Sequence, residues 1–417
     1  MFDADLLAAI RGRFAHVESC PFQGERIFLE NAGGALTLNA VVQTSARLAA
    51  IPDNLGRDNP GAQGLNEILL RGRADMRTFF GAAGGEVIVG ESGTELLFRV
   101  LRVAALATGT GGQLLGSTLE HPASRSAAAF WAGHTSAHHR LIVHDNATGT
   151  IGVDDYLVQL EPSTRVATII HTSPLTGMDV DIASIAAAIR ARAPQCFIIV
   201  DGIQHAAHGA IELADTPIDA YVISPYKVFS RHGYGIAWLS DRLANCAHEK
   251  LIGSPATQWE LGTRDVGAFA TFSDVVDYLD WLGAQQPDGA ADDRATRLRV
   301  AGRAITAHET ALVALLLEGQ GALTGLAGLP GVTFIGGARK PERAGLVSFV
   351  AAGHEATDIV SALNARGIRT HVRKNDHYSG NVLGPLGLDA CVRVSMCHYN
   401  SAAEIEALLA ALGELLG

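Results

Sequence analysis

No two cysteines in this chain are spaced as Cys-x-x-Cys, and no HExxH run accompanies its 16 histidines. The five cysteines, Cys20, Cys196, Cys246, Cys391 and Cys397, are odd in number and scattered, which argues against a disulfide framework, a zinc site or a redox dithiol. His134, His138 and His139 cluster without a carboxylate at ligand spacing, so no metal is expected. Charge is scarce, at 18% of residues, and 32 Lys and Arg are outnumbered by 43 Asp and Glu, for a formal net charge of -11. A nucleic-acid partner held by counterion release is therefore not expected. Long hydrophobic runs are missing too: stretches such as Ala311 to Leu317 fall far short of the roughly 18 residues of a membrane span. Residues 1–13 are too acidic and too interrupted for a secretory signal. The expectation is a cytoplasmic protein without a membrane contact.

What the chain has is apolar mass: 48% of 417 residues, enough for two cores of ordinary domain size. Between about 85 and 240, short apolar runs alternate with helix-period segments. The runs are Val87 to Val89, Gln113 to Leu115, Leu141 to Val143, Val166 to Ile170, Phe197 to Val200 and Ala220 to Ile223. This alternation predicts an open, mostly parallel sheet flanked by helices. The segment Asp181 to Arg192 reads as one covering helix, with Ile182, Ile185 and Ile189 on one face. Polar composition over Gln285 to Asp293 then marks a break. Beyond it, runs at Val332 to Ile335, Gly345 to Val350, Ile368 to Val372 and Val392 to Met396, with helices near 297–319, 355–366 and 401–416, predict a smaller α+β unit.

In open α/β sheets the ligand lies beyond the carboxyl ends of the strands. One apolar run ends on Asp201-Gly202-Ile203-Gln204 and the next on Ser224-Pro225-Tyr226-Lys227, so a carboxylate and an amine emerge from neighbouring strands. Taken alone, such a pair is more often a salt bridge than a site. Gly93-Thr94, at the start of a helix-period segment, offers backbone N–H groups and a hydroxyl to a phosphate, and Ser224 offers a second hydroxyl.

Seven motifs in a fixed order carry a resemblance. They are Leu29-Glu-Asn31-Ala-Gly33, Gly93-Thr94-Glu95, Glu120-His121-Pro122-Ala123, Asp201-Gly202-Ile203-Gln204, Ser224-Pro-Tyr-Lys227, Glu260-Leu-Gly262-Thr263 and Arg393-Val-Ser395-Met-Cys-His-Tyr399-Asn400. In these the chain resembles, over nearly its whole length, the class V aminotransferase and cysteine desulfurase family of pyridoxal-phosphate enzymes of fold type I. The resemblance implies a large domain with a mostly parallel seven-stranded sheet, over 36–288, and a smaller α+β C-terminal domain, over 289–417. It also implies an N-terminal segment, 1–35, packing on the small domain and the active site. Lys227 is then the amine that bonds the cofactor as a Schiff base and later moves the Cα proton, with Asp201 against the pyridine nitrogen. His121 stacks on the ring, Gln204 bonds near the ring oxygen, and Gly93, Thr94 and Ser224 hold the phosphate. Thr263 arrives from a second subunit, which implies a homodimer with shared sites. Arg393 grips the substrate α-carboxylate, and Asn31 belongs to the same substrate region.

The chain departs from that pattern at a telling place. Desulfurases carry a nucleophilic cysteine on a loop before the Arg-x-Ser strand, whereas Gly367 to Gly380 holds none. A protein persulfide therefore lacks its thiolate. The asparagine expected near the ring oxygen is replaced within His171-Thr-Ser173-Pro174-Leu-Thr176-Gly177, leaving Ser173 or Thr176 as donors, and Tyr226 stands where desulfurases often have histidine. The polar segment with Arg373 and His377 is placed to read the substrate side chain, favouring an acidic or polar amino acid. The leading expectation is β-elimination from a small α-amino acid through a Cα carbanion. The rival is an aminotransferase using a keto-acid acceptor; less favoured are a true desulfurase and an inactive partner subunit.

Overall fold

The structure is a computed structural model that describes residues 1–288, 293–337 and 343–417. The helix α1 (Pro60–Phe79) precedes an alternation of strands and helices: β1 (Glu86–Gly90), α2 (Gly93–Ala107), β2 (Gln113–Ser117), α3 (Pro122–His134), β3 (His138–Ile142), β4 (Thr164–Ile170), α4 (Ile182–Arg192), β5 (Phe197–Asp201), β6 (Ala220–Ile223) and β7 (Gly235–Leu239). The strands form a seven-stranded sheet in the order β1-β7-β6-β5-β4-β2-β3. Every pairing is parallel except those of β7, which runs antiparallel to both β1 and β6.

Strand alternation explains the two faces. Val87 and Val89, Ile198 and Val200 pack to one side, while Ile88, Phe197 and Ile199 pack to the other with Leu97, Val100 and Leu101 of α2. Each such fully buried aliphatic side chain contributes about 1.5–3 kcal/mol. Two details depart from the sequence expectation. The edge strand β3 begins at His138 rather than Leu141, because its outward residues His138 and Arg140 are polar and break the apolar run. Strand β7 was not expected: Gly-Ile-Ala-Trp-Leu is short and follows directly on a glycine turn.

Helices α5 (Val266–Ala284) and α6 (Arg294–Glu318) lead into the second unit, with β8 (Val332–Phe334), β9 (Leu346–Ala351), α7 (Ala356–Ala365), β10 (His371–Lys374), β11 (Ala390–Ser395) and α8 (Ala402–Leu416). Its four strands are antiparallel in the order β8-β9-β11-β10. The expected strand over Ile368 to Val372 is divided: Ile368 and Arg369 pair in parallel with Ile27 and Phe28, and only from His371 does the chain join β11. Each half satisfies its backbone on a different partner. Residue 289, the expected domain boundary, lies outside the described residues. Helix α6 is long and apolar enough by composition to cross a membrane, but 56% of the relevant window is buried and Leu312, Val313 and Leu316 sit in the second core.

The N-terminal segment is packed down. Ile10 is fully buried, Phe14 lies edge-on to Phe229 and Tyr278, and Arg11 donates to the Tyr399 carbonyl at 2.8 Å and to Glu404 at 3.1 Å.

Candidate active site

Four strand ends converge. After β5, Asp201 is buried with Oδ2 accepting from Ser124 Oγ at 3.2 Å and Oδ1 from Ile203 N at 3.1 Å. Burial raises its pKa, so it would readily share a proton with a base beside it. After β6, the chain makes a short 3₁₀ turn over Pro225–Lys227. Lys227 Nζ donates to Gln204 Oε1 at 3.4 Å. Burial and then the field of Arg393 bring the lysine down to about 8, against the partial opposition of Asp201.

The turn that aims Lys227 is strained. Phe229 adopts φ +63°, a left-handed conformation costing a side chain about 1–2 kcal/mol. It is held there by burial against Phe14, Tyr278 and His398, while Ala35 N and Leu38 N bond to the carbonyls of Tyr226 and Phe229.

After β1, Ser92 caps α2 by accepting from Glu95 N. A Cβ at Gly93 would lie 2.5 Å from Ser224 Oγ, so the first turn of α2 and the end of β6 touch only because residue 93 lacks a side chain. Thr94 is exposed on this helix start. The concentration of N–H groups, the helix dipole and two hydroxyls make a cradle for a dianion. Thr263 is exposed and is not brought to Lys227 by any contact; its neighbour Arg264 pairs with Glu91 at 3.4 Å.

After β2, His121 caps α3, its Nδ1 accepting from Ala123 N at 3.2 Å. That bond leaves the proton on Nε2. Burial, reinforced by Lys227 and Arg373, pushes its pKa down to about 3, so the ring is neutral.

The second unit supplies two guanidiniums. Arg393 on β11 is buried, donates to the Pro174 carbonyl at 2.9 Å, and has no partner for Nε among the described residues. Burial and the neighbouring Arg373 lower it to about 9. Arg373, on β10, donates from Nε to Ser379 Oγ at 2.8 Å. His377 is exposed with its ring against Tyr378, and Arg125 Nη2 donates to its carbonyl at 3.2 Å. Arg125 also reaches Asn381 Oδ1 at 3.1 Å and the Glu120 carbonyl at 3.0 Å, which ties this segment to the turn carrying His121.

Asn31 stands apart. Its Nδ2 donates to the Ser395 carbonyl at 2.9 Å and to Asn400 Oδ1 at 3.2 Å, and its Oδ1 accepts from Tyr399 Oη. Its side chain is thus occupied in tying the N-terminal segment to β11. Ser173 and Thr176 are similarly engaged: Ser173 Oγ accepts from Thr176 N, and Thr176 Oγ1 donates to the Gly149 carbonyl. The turn they build gives the Pro174 carbonyl to Arg393, a role the sequence did not disclose. Ser124 beneath Asp201 went unnoticed as well, since an internal helix serine carries no motif.

The set suits a group with a phosphate, a basic ring nitrogen and an aldehyde: the Gly93–Ser224 cradle, the buried Asp201 and the depressed Lys227 answer those three requirements. An unshifted lysine, near 10.4, is only about 0.1% free amine at pH 7.5, whereas one near 8 is about a quarter free. Attachment of the aldehyde to Lys227 is accordingly expected to speed up with pH and level off above about 8, measured by stopped-flow absorbance. A rate still climbing through pH 10 would contradict the depressed amine.

The sequence model described as aminotransferase class-V matches residues 27–298 and 298–408. A probable cysteine desulfurase of Mycolicibacterium paratuberculosis is 28% identical over 363 residues, covering 82% of this chain and 48% of the relative. The chain likewise spans only 53% of a similar protein from Mycobacterium leprae, that is, about half the length of several relatives it matches. A cysteine desulfurase-like protein of Aspergillus flavus, ustD, is 26% identical, with 94% of this chain and 88% of that one covered. In fold, the chain is similar to the cysteine desulfurase CsdA of Escherichia coli, with a TM-score of 0.80, 22% identity and 100% of both chains covered. The apo cysteine desulfurase of Thermococcus onnurineus gives 0.81 and 20% identity over 96% of this chain and 97% of that one. The chain belongs to the class V aminotransferase family of pyridoxal-phosphate enzymes.

Proposed function

We propose that this enzyme withdraws the Cα proton of a small α-amino acid and expels a β-substituent, without a protein persulfide. The observation that carries this reading is where the thiols are. None lies in 367–380, and Cys391 and Cys397 are buried, with burial pushing Cys391 up to about 12 and Cys397 well above the ordinary thiol range. A thiol at such a pKa is no nucleophile at neutral pH.

Pyridoxal phosphate, when bound, supplies an electron sink for the charge left at Cα. Asp201 would keep a proton on the ring nitrogen and so maintain that sink. Arg393 binds the α-carboxylate, its guanidinium already oriented by the Pro174 carbonyl. Lys227, near neutrality in its acid strength, takes the Cα proton and can return it to the departing group. Gly93, Thr94 and Ser224 would hold the phosphate, the neutral His121 would pack beside the ring, and Thr263 would serve the site of a second copy in a homodimer.

The side-chain preference follows from charge. Arg373 faces Cys391 across the strand pair, and Arg393 faces His371, so the two guanidiniums are close neighbours on adjacent strands and both depress Lys227. One carboxylate satisfies Arg393; a second anionic or polar group, on the substrate side chain, suits Arg373. Replacing Arg373 with alanine is expected to cut kcat/KM for an acidic amino acid by about 10- to 100-fold, as for loss of a hydrogen bond to a charged group, and to leave a neutral one nearly unchanged. His377→Ala should add a smaller loss, and an equal fall across all substrates would remove the specificity role.

The reaction itself is tested by incubating the loaded enzyme with single amino acids. Keto acid and ammonia should appear with no acceptor present, at a rate untouched by prior alkylation of accessible thiols. Turnover that begins only on adding a keto acid would make the enzyme an aminotransferase, and loss of activity on alkylation would restore the persulfide route.

A further inference from the structure

Gln204 stands between Lys227 and a buried acid–imidazole pair for which the chemistry above has no use. Its Oε1 accepts from Lys227, and its Nε2 lies 3.2 Å from His208 Nε2. Across the ring, His208 Nδ1 is 2.7 Å from Glu309 Oε2, which also accepts from Gly345 N at 3.2 Å. His208 and Glu309 are 4% and 1% exposed.

An amide nitrogen only donates, so this arrangement requires His208 Nε2 to be bare and the imidazole proton to sit on Nδ1, facing Glu309. A second proton converts Nε2 into a donor. The Gln204 amide must then turn by half a rotation, giving its oxygen to His208 and its NH₂ to the space beside Lys227. A lysine ammonium is matched by the carbonyl oxygen, and an anionic oxygen of a bound ligand is matched by the NH₂.

We propose that Glu309 and His208 form a positioning pair: by fixing whether His208 holds one proton or two, they select which end of Gln204 faces the site, and present the NH₂ when pyridoxal phosphate is loaded. The inference rests on the cofactor assignment. Burial works against the second proton, but the Glu309 carboxylate on α6 and its hydrogen bond work for it, and the net effect raises His208. Asp179, after β4, acts in the same sense; Lys227 opposes it, and the neighbouring His398 is itself held down by burial, His308 and His208. Arg343 lines the same small cavity as Asp179, His208 and Glu309.

An N–H aimed at an ionisable ring oxygen favours its anionic form and lowers its titration midpoint. The experiment is a pH titration of the visible absorption of the loaded protein, in wild type, Glu309→Gln, Gln204→Ala and the double variant. Glu309→Gln should leave His208 singly protonated, return the Gln204 carbonyl to the site, and raise the midpoint by about one pH unit or more. In the Gln204→Ala background the same substitution should add nothing. A wild-type midpoint in Glu309→Gln, or a shift that persists without Gln204, overturns the proposal. Should Glu309→Gln fail to fold, proton uptake on cofactor loading, measured by calorimetry in two buffers of different ionisation enthalpy, decides: larger uptake in wild type than in Gln204→Ala supports it, equal uptake overturns it. If wild type develops no visible absorption at all, the cofactor assignment fails, and this inference with it.

Discussion

Lys227→Ala is expected to lose the visible absorption of covalently attached cofactor and to lower turnover by roughly 10⁴-fold, the upper range for removing a positioned acid–base group that is also the point of attachment. The substitution deletes an amine whose recorded hydrogen-bond partner is Gln204, so little of the fold depends on it. Phe229 and the hydrogen bonds from Ala35 and Leu38 still shape the turn. Circular dichroism should therefore match wild type while absorption and activity vanish together. Retained activity with a retained absorption band would mean that another amine carries the cofactor.

Asp201→Asn should cost about 10²- to 10³-fold in turnover, the scale for removing one preorganised electrostatic partner of a reacting system. The amide keeps the size of the acid, and its oxygen still accepts from Ile203 N. The Ser124 hydroxyl can turn to accept from the new NH₂, since a hydroxyl both donates and accepts. What the amide cannot do is hold a proton in common with a ring nitrogen. Cofactor binding should thus survive while turnover falls, with the loss concentrated in kcat rather than KM. An unchanged kcat would mean that Asp201 is only a buried structural acid.

Much of this architecture was legible in the chain. The apolar runs ending on Asp201, Ser224 and Gly90 located the sheet and its ligand edge, because a buried parallel strand must be apolar throughout and must stop where polar chemistry begins. Strand β7 was not legible, since five residues after a glycine turn carry no periodicity long enough to read. The candidate site was legible where a residue sits at its own strand end, as with Lys227 and Asp201. It was obscure where a role depends on a distant partner. Glu309 lies 101 positions from His208, and Asn381 lies 256 from Arg125, and no local pattern joins either pair. Asn31 illustrates the converse: motif membership put it with the substrate, while its hydrogen bonds run to Ser395, Asn400 and Tyr399.

The family match begins at residue 27, yet cooperative structure begins well before it. Ile10 and Phe14 are core residues, each contributing about 1.5–3 kcal/mol by burial, and Phe14 is one of the walls that keep Phe229 in its left-handed turn two residues past Lys227. Arg11 fastens the same segment to Tyr399 and Glu404. A stretch that precedes the residues matched by the family model thus helps to shape the turn that carries Lys227. Substitution at Phe14 is therefore expected to reach Lys227 through Phe229, from a position outside the residues that the family model matches.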